Sequence, residues 1–409
     1  MPRFYSAAAK GRPWGGFPLP SRLYCVLAFD YDATVETSLK KYDPYLPQTP
    51  PMAGDDPVVQ WLLQGDPAIR WQVLHDLLDA PQDEVEVERA RVAHEGWGAG
   101  LLALRAPDGH WAGGACFPNT AAFAESTARA LAAGGPPPPF PTPDAEPTET
   151  PGEPPGEEPE QPWIATYPVL LDLCHLGVPP GSAVMRETAQ LVAHNCRWEY
   201  EGLPFFAGEV DCCINAGTIL IGTYLGIDVD PVVQRIVADQ LPDGGWNCWA
   251  EARSAAGSFA STLDVVDALL RWERHTGGSD EVRRARHEGE EYLLRRSLFR
   301  SLRTGELVNP RWLQFSYPPR WHYDLLKATS YFALRGGPAD PRLVEAIEQV
   351  RAKRQPNGCW LLEGTHPGAV HFRFEGPDGT SSRWNTLRAL RVLRWYDAAS
   401  PSNEACVTP

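Results

Sequence analysis

The chain has 409 residues, of which 43% are apolar and 10% aromatic, so it is long enough to bury a large core as one big domain or two ordinary ones. Its formal net charge of −15 argues against nucleic acid or an anionic membrane as the main partner and favours an apolar or cationic ligand. No run of about 18 apolar residues and no signal-peptide pattern occurs, so we expect a cytoplasmic protein without a transmembrane segment, with peripheral membrane contact left open.

Two irregular stretches and a tail flank or interrupt the regular part of the chain. Residues 1–52 have weak periodicity and end in the proline-rich text YLPQTPPMAGD, which predicts a poorly ordered N-terminal extension. Residues 134–162 are rich in proline and glutamate, a composition that favours an extended, solvated and disordered insertion. We expect this insertion to lie within one domain of residues 53–397, and residues 398–409 to form a disordered tail.

The text of this domain repeats. The sequences PDGHW, PDGGW and PNGCW begin at Pro107, Pro242 and Pro356, and each lies between two helical segments. Proline fixes φ and glycine adopts the left-handed conformation, so each copy predicts a turn. We expect the following tryptophan to pack back onto the helices. Two degraded copies, CRWEYEGLPFF and NPRWLQFSYPPRW, bring the number of repeats to five.

Each repeat pairs a polar-rich amphipathic helix, expected outside, with an apolar helix, expected inside. With an N-terminal pair at 56–66 and 67–78, this pattern predicts an all-α fold of about six hairpins that close into an (α/α)6 toroid around a central apolar cavity. The predicted outer helices are 87–105, 183–195, 231–241, 281–296 and 342–355, and the inner ones are 163–177, 210–226, 258–272, 320–334 and 383–395.

The repeats resemble those of the terpenoid cyclase and protein prenyltransferase superfamily, whose members are (α/α)6 toroids with Q-x-x-D-G-G-W repeats. The clearest copy is QLPDGGW at 240–246, and the resemblance covers residues 55–396 apart from the insertion. It implies the same toroid and an isoprenoid or other apolar small molecule as ligand. It implies little about the reaction, because the repeat is structural.

The stretch DCCINAG, residues 211–217, resembles the D-C-T-A-E element of oxidosqualene cyclases, whose aspartate protonates the substrate. Asp211 and Cys212 match this element, whereas Cys213 and Asn215 replace its Thr and Glu. The resemblance implies that Asp211 is the proton donor, that Cys212 tunes it, and that no cofactor is needed. Cysteines form no CxxC pair in this chain, so we expect most of them to be reduced and buried.

The same stretch also resembles the D-x-C zinc-ligand pair of protein prenyltransferase β subunits, matched by Asp211 and Cys213. The third ligand there is a histidine at the start of a later inner helix. Asn385 occupies that place in the last repeat and His322 occupies it one repeat earlier, so this alternative implies zinc bound by Asp211, Cys213 and His322. Adjacent helical residues point about 100° apart, so Cys212 and Cys213 are not expected to bind one ion together.

The first turns of the inner helices are expected to face the cavity at one end of the toroid. Aromatic side chains there would stabilise a carbocation and exclude water from it, although packing alone is an alternative role. Asp264 is expected to face the cavity and Asp267 to form an ion pair. The side chains predicted to line the cavity are Trp163, Tyr167, Phe259, Asp264, Trp321, Tyr323, Trp384 and Asn385, beside the candidate catalytic residues Asp211, Cys212 and His322.

Several roles stay open for these residues. Asp211 at a helix start is either a cap, which lowers its pKa, or a buried acid, whose pKa is raised. His322 is a structural histidine, a base or a ligand. The loop THPGAVHF, with His366 and His371, either covers the cavity or is solvated.

Three functions therefore follow from the sequence. The favoured one is a terpenoid cyclase-like enzyme that protonates an isoprenoid chain and guides the carbocation through an aromatic-lined cavity. The second is a zinc-dependent, prenyltransferase-like enzyme. The third is a non-catalytic toroid that binds a lipid or a protein, which is kept open because no D-x-D-D motif occurs in the chain.

Overall fold

A computed structural model of the chain describes residues 50–119, 162–248 and 256–399. These residues form thirteen α-helices and a single two-stranded sheet, so the prediction of an all-α fold is confirmed. The predicted extension 1–52, insertion 134–162 and tail 398–409 lie outside the described residues except at 50–52, 162 and 398–399. Within the described ranges, no helix is both long and apolar enough to cross a bilayer.

The short sheet joins the last Pro-Asn-Gly-x-Trp turn to the last helix. Strand β1 (Trp360–Leu361) pairs antiparallel with β2 (Ser381–Ser382). The helices are α1 Pro57–Leu63, α2 Pro67–Asp76, α3 Gln82–Arg91, α4 Gly96–Ala103, α5 Thr166–Leu176, α6 Ala183–Asn195, α7 Cys212–Leu225, α8 Asp230–Ala238, α9 Phe259–Thr276, α10 Asp280–Leu294, α11 Leu325–Arg335, α12 Val344–Ala352 and α13 Arg383–Ala399. Three 3₁₀ turns lie at Phe205–Ala207, Pro310–Leu313 and Pro341–Leu343.

The helices predicted to be inner contact one another in sequence. Helix α5 packs on α7, α7 on α9, α9 on α11 and α11 on α13. Helix α13 also packs on α2, and α4 contacts both α2 and α5, so the series of contacts closes at α2. In α7, twelve of fourteen residues are buried, whereas in amphipathic α8 only three of nine are. The apolar helices therefore lie between other elements, as their composition predicts.

The three Pro-Asp/Asn-Gly-x-Trp turns have one geometry, which explains the repeat. In each, the side chain of Asp or Asn accepts the N–H two residues later, and the glycine has a φ between +85° and +96°. The tryptophan ring then donates to a carbonyl ten residues earlier, and its backbone N–H donates to a threonine hydroxyl of the next inner helix. These bonds join Trp111 to Leu101 and Thr166, Trp246 to Ile236 and Thr262, and Trp360 to Val350 and Thr386, at 2.7–3.1 Å.

The tryptophans thus pack back onto the helices as predicted, and each one fastens the outer helix before the turn to the inner helix after it. All three are at most 1% exposed. A buried indole N–H needs an acceptor, and the carbonyl at this fixed spacing supplies it.

The predicted continuous outer helix 87–105 is wrong, because the structure has two helices there, α3 and α4. Gly96 adopts a left-handed φ of +65°, and a Cβ at this position would collide with the carboxylate of Asp66. That carboxylate accepts the backbone N–H of Trp97 at 2.8 Å, which holds the start of α4. The chain therefore turns at Gly96.

Candidate functional site

Two of the predicted helix starts are displaced in the structure. Helix α5 begins at Thr166 and α11 at Leu325, where Asp324 is the N-cap and accepts the N–H of Lys327 at 2.6 Å. The capping carboxylate stops the helix there. The expectation that Trp163, Trp321, His322 and Tyr323 lie in first helical turns is therefore wrong, since all four precede the helices. Cys212 in α7, Phe259 in α9 and Trp384 in α13 lie at helix starts as predicted.

Asp211 is held at the start of α7 by a polar network that the sequence analysis did not identify. The carboxylate of Glu209 accepts the backbone N–H of Asp211 at 2.8 Å. Asn215, which is fully buried, exchanges two hydrogen bonds with the backbone of Glu209 at 2.6 and 2.7 Å. Asn215 is therefore a structural residue that orients the segment before the helix. The acidic pair in GEVD was the only sequence signal for Glu209.

Asp211 is the N-cap residue of α7 by position, but its side chain accepts no hydrogen bond from the helix backbone. The capping alternative is therefore wrong. Burial raises the pKa of Asp211 to about 8, and the negative charges of Cys248 and Glu209, with a hydrogen bond to Cys248, act in the same direction. At neutral pH the carboxyl is neutral and carries a proton, as a general acid must.

Three cysteines meet beside this carboxyl. The Sγ atom of Cys248 lies 3.1 Å from Sγ of Cys213 and 3.5 Å from Sγ of Cys212, and Ser261 Oγ lies 3.6 Å from it. Cys248 comes from the segment after the PDGGW turn, 36 residues from Cys212. We call Cys212, Cys213 and Cys248 the thiol cluster. Although adjacent helical residues point about 100° apart, the sulfur atoms of Cys212 and Cys213 both contact Sγ of Cys248.

Hydrogen bonds within the thiol cluster shift the pKa values of its three thiols. The hydrogen bonds that join Cys248 to Cys212 and Cys213 lower the pKa of the Cys248 thiol, and the backbone N–H of Cys213 acts in the same direction. The pKa values of the Cys212 and Cys213 thiols are raised by their bonds to Cys248 and by burial. Five of the seven described cysteines are buried, as expected.

Tyr167 and Asp264 lie next to the thiol cluster. Tyr167 donates to the carbonyl of Cys213 at 3.4 Å, and both Asp264 and Cys248 raise the pKa of its hydroxyl after burial. Asp264 forms an ion pair with Lys327 at 2.7 Å, and burial raises its pKa to about 6 despite that lysine. Tyr167 and Asp264 therefore lie beside the thiol cluster, and their role as cavity-lining residues stays a prediction.

Trp163, Trp321 and His322 form a second group. The two indoles lie 4.4 Å apart, and His322 stacks on His366 at 3.9 Å between ring centroids. Burial lowers the pKa of His322 to about 4 and that of His366 to about 3, so both imidazoles are neutral at pH 7. His322 therefore lies in an aromatic cluster, where its described ring neighbours are Trp163, Trp321 and His366.

The loop with His366 and His371 covers this group. Trp163 donates its backbone N–H to Ala369 at 2.7 Å and its indole N–H to Pro367 at 2.7 Å. His371 is 6% exposed and Nε2 lies 3.0 Å from the carbonyl of Ile164. The solvated-loop alternative is therefore wrong for His371.

The remaining predicted lining residues pack elsewhere. Phe259 and Tyr323 lie in a separate aromatic cluster 5.6 Å apart, where the Tyr323 hydroxyl donates to Leu298. Trp384 stacks on Tyr317 at 4.6 Å. Asn385 is fully buried and donates to two backbone carbonyls. All four residues are buried, and their role as cavity-lining residues stays a prediction.

Charged side chains that the prediction did not include lie among the inner helices. Asp172 of α5 pairs with Arg320 at 2.8 Å, each side chain being 7% exposed. The side chain of His175, one turn later, is exposed. Desolvation by nearby protein atoms nevertheless lowers its pKa to about 4, and the positive charge of Arg271 acts in the same direction. Asp267 pairs with Arg271 as expected. The interior is therefore not uniformly apolar, and the acid and histidine within the text DLCH were the sequence signal for this.

Among the residues that the structure describes, no group of three or more His, Cys, Asp and Glu side chains is arranged to hold a metal ion. Zinc bound by Asp211, Cys213 and His322 stays a prediction that metal analysis of the purified protein tests. No protein-family model matches the chain, and no curated protein sequence matches it either.

Proposed function

We propose that this protein is a terpenoid cyclase-like enzyme in which Asp211 donates a proton to a double bond of an isoprenoid chain. The observation that carries the proposal is the state of Asp211: its carboxyl caps no helix, has a pKa of about 8, and is hydrogen-bonded to Cys248. A neutral carboxyl held in a partly apolar site is poised to give up its proton to substrate rather than to stabilise the fold.

The proposed scaffold is the (α/α)6 toroid. The order of the helix contacts supports it. The contacts among the apolar helices run from α2 through α4, α5, α7, α9 and α11 to α13 and back to α2.

The proposed chemistry uses the residues near Asp211. Transfer of the proton to one alkene carbon leaves a cation on its neighbour, which the π electrons of the next double bond attack. The faces of Tyr167, Trp163 and Trp321 would stabilise that cation by about 0.5–2 kcal/mol per contact. Asp264, largely ionised at neutral pH because its pKa is about 6, is the carboxylate available to take the final proton.

Replacement of Asp211 by Asn tests the proposal. The amide has nearly the same shape but cannot donate a carboxyl proton, so we expect cyclisation of C15 to C30 isoprenoids to fall by at least about a hundredfold, within the range of general acid catalysis. Product formation is measured by gas chromatography and mass spectrometry. The exposed Asp280→Asn variant is the matched control and should keep wild-type activity.

Two results would contradict the proposal. One is undiminished product formation by Asp211→Asn. The other is a wild-type protein that turns over no isoprenoid in the series. In the wild type, kcat/KM should be highest between about pH 6 and pH 8. It should fall below that range as the Asp264 carboxylate gains a proton, and above it as the Asp211 carboxyl loses its proton.

A further inference from the structure

The thiol cluster has an arrangement that proton donation by Asp211 does not require. Cys248 lies between two other thiols, with Sγ–Sγ distances of 3.1 Å to Cys213 and 3.5 Å to Cys212. A disulfide bond has an S–S distance of about 2.05 Å, so a closure of about 1 Å would join Cys213 to Cys248. Three unconnected small hydrophobic residues would have no reason to place their sulfur atoms in one polar contact.

The surroundings of Cys248 favour its thiolate, which is the reactive form of cysteine. Its sulfur lies 3.1 Å from Sγ of Cys213, in the first turn of α7, and is within hydrogen-bond range of Ser261 Oγ at 3.6 Å. Helix α7 has fourteen residues, and no side chain caps it. The positive end of the helix dipole therefore acts on Cys248.

Access to the two nearest sulfurs is limited but present. Cys213 and Cys248 are both partly exposed, whereas Cys212 is 7% exposed. Because Cys248 is only partly exposed, we expect a small disulfide to reach it more readily than a disulfide that belongs to another protein. Cys213, which is the closer and the more accessible of the two neighbours, is in position to react second.

We propose that Cys248 and Cys213 form a redox-active dithiol site that exchanges with low-molecular-weight disulfides, with Cys248 as the attacking sulfur and Cys213 as the resolving sulfur. This inference rests on the thiol cluster and does not depend on the proposed isoprenoid chemistry.

The exchange takes two steps. In the first, the Cys248 thiolate attacks one sulfur of a disulfide RSSR, the S–S bond breaks, and the departing thiolate takes the Asp211 carboxyl proton to leave as RSH. In the second, the Asp211 carboxylate removes the proton of Cys213, whose sulfur attacks Sγ of Cys248 and expels RS⁻. The dithiol is oxidised by two electrons, and RSSR is reduced to RSH and RS⁻.

The test uses the full-length protein and oxidised glutathione as the disulfide. After incubation, free thiols are blocked with N-ethylmaleimide and peptides are mapped by mass spectrometry. The wild type should form a Cys213–Cys248 disulfide that dithiothreitol reverses. Cys213→Ser should stop at a glutathione adduct on Cys248, and Cys248→Ser should form neither product.

Cys359→Ser is the matched control, since Cys359 is buried outside the thiol cluster, and it should behave as the wild type does. A wild type in which Cys213 and Cys248 stay free, or a Cys213→Ser variant that forms a Cys212–Cys248 disulfide instead, would overturn the assignment.

A second measurement keeps the proposal testable if a serine variant fails to fold. In the wild type, the alkylation rate of Cys248 by iodoacetamide, followed peptide by peptide, should reach half its maximum below about pH 8.5, the usual pKa of a free cysteine. A midpoint at or above that pH would also overturn the proposal.

Discussion

Asp211 shows at the scale of one residue how position in the sequence and chemical state can differ. Asp211 occupies the N-cap position of α7, but its side chain accepts no N–H of the helix. Hydrogen bonds of Glu209 and Asn215 hold the backbone before the helix. The carboxyl instead meets Cys248, which lies 37 residues away in the sequence. The acid thus lies within the stretch DCCINAG, whereas Cys248, which helps to raise its pKa, comes from another repeat.

The raised pKa of Asp211 predicts a pH-dependent difference in stability. The folded pKa of about 8 lies above the usual value of about 3.9, so the folded state holds a proton that the unfolded chain releases. The contribution to stability is complete below about pH 4 and is lost as pH rises towards 8. Asp211→Asn does not titrate, so its free energy of unfolding relative to the wild type should increase from pH 5 to pH 8 and then level off.

Urea unfolding at pH 5, 6.5, 8 and 9 measures this difference. Because the charge of Cys248 helps to raise the pKa of Asp211, the Cys248→Ser background should show a smaller increase. A difference between Asp211→Asn and wild type that stays constant from pH 5 to pH 9 would show that the carboxyl titrates normally.

At the scale of elements, the Pro-Asp/Asn-Gly-x-Trp turn was predictable because all of its determinants are local. Proline, an Asx side chain, a left-handed glycine and a tryptophan specify the turn within five residues. The threonine that receives the tryptophan N–H was not predicted, since it lies between 16 and 55 residues further along the chain. The turn thus depends on local residues, whereas the threonine that accepts the tryptophan N–H depends on how the helices pack.

This pattern predicts that the three threonines are equivalent. Thr166→Val, Thr262→Val and Thr386→Val keep the side-chain shape but leave the N–H of a buried tryptophan without its acceptor. Each variant should lower the free energy of unfolding by about 1–3 kcal/mol, the cost of an unsatisfied buried donor. Denaturant titration of each variant measures the loss.

Thr223→Val, in helix α7, is the matched control, because it makes the same substitution at a threonine that binds no tryptophan. Thr223 is 5% exposed, and its hydroxyl has no hydrogen-bond partner among the described residues. Its replacement should be neutral or slightly stabilising. Equal losses in Thr223→Val and the three repeat variants would mean that threonine volume, and not the tryptophan bond, sets the cost.

At the scale of the whole molecule, contacts between the last helix and the second one join the two ends of the described fold. Arg391 of α13 donates to Gln72 of α2 at 2.6 Å and forms an ion pair with Asp76. Although burial opposes it, Arg391 holds the pKa of Asp76 below its usual value. Residues more than 300 positions apart thereby lie side by side, which no local pattern encodes.

Removal of this arginine should loosen the closure between α13 and α2. Arg391→Met leaves the partly buried Asp76 carboxylate with His75 as its remaining ion-pair partner, and should lower the free energy of unfolding at pH 7 by about 1–3 kcal/mol. The loss should shrink as pH falls through the pKa of Asp76, because the protonated carboxyl no longer needs a cation. Thermal and urea unfolding measure both effects.

Two further variants separate this effect from a general change of charge. Asp76→Asn combined with Arg391→Met should be more stable than Arg391→Met alone, since no charge is left unpaired. Arg283→Met removes an exposed helix-surface pair with Asp280 and should change stability by no more than about 0.5 kcal/mol. A loss in Arg391→Met no larger than in Arg283→Met would contradict the proposed closure.

The approximate positions of the helices, their repeat, the turns between them and the place of Asp211 before α7 could be predicted from the sequence, because hydrophobic periodicity, turn residues and helix starts depend on neighbours along the chain. Which residues share a site depends on tertiary contacts. Cys248 joined Asp211, His322 joined His366, and Phe259, Tyr323, Trp384 and Asn385 turned inward to pack. The physical reason is that the charge state of a carboxyl and the reactivity of a thiol depend on burial and on atoms within a few ångströms, and residues far apart in the sequence supply both.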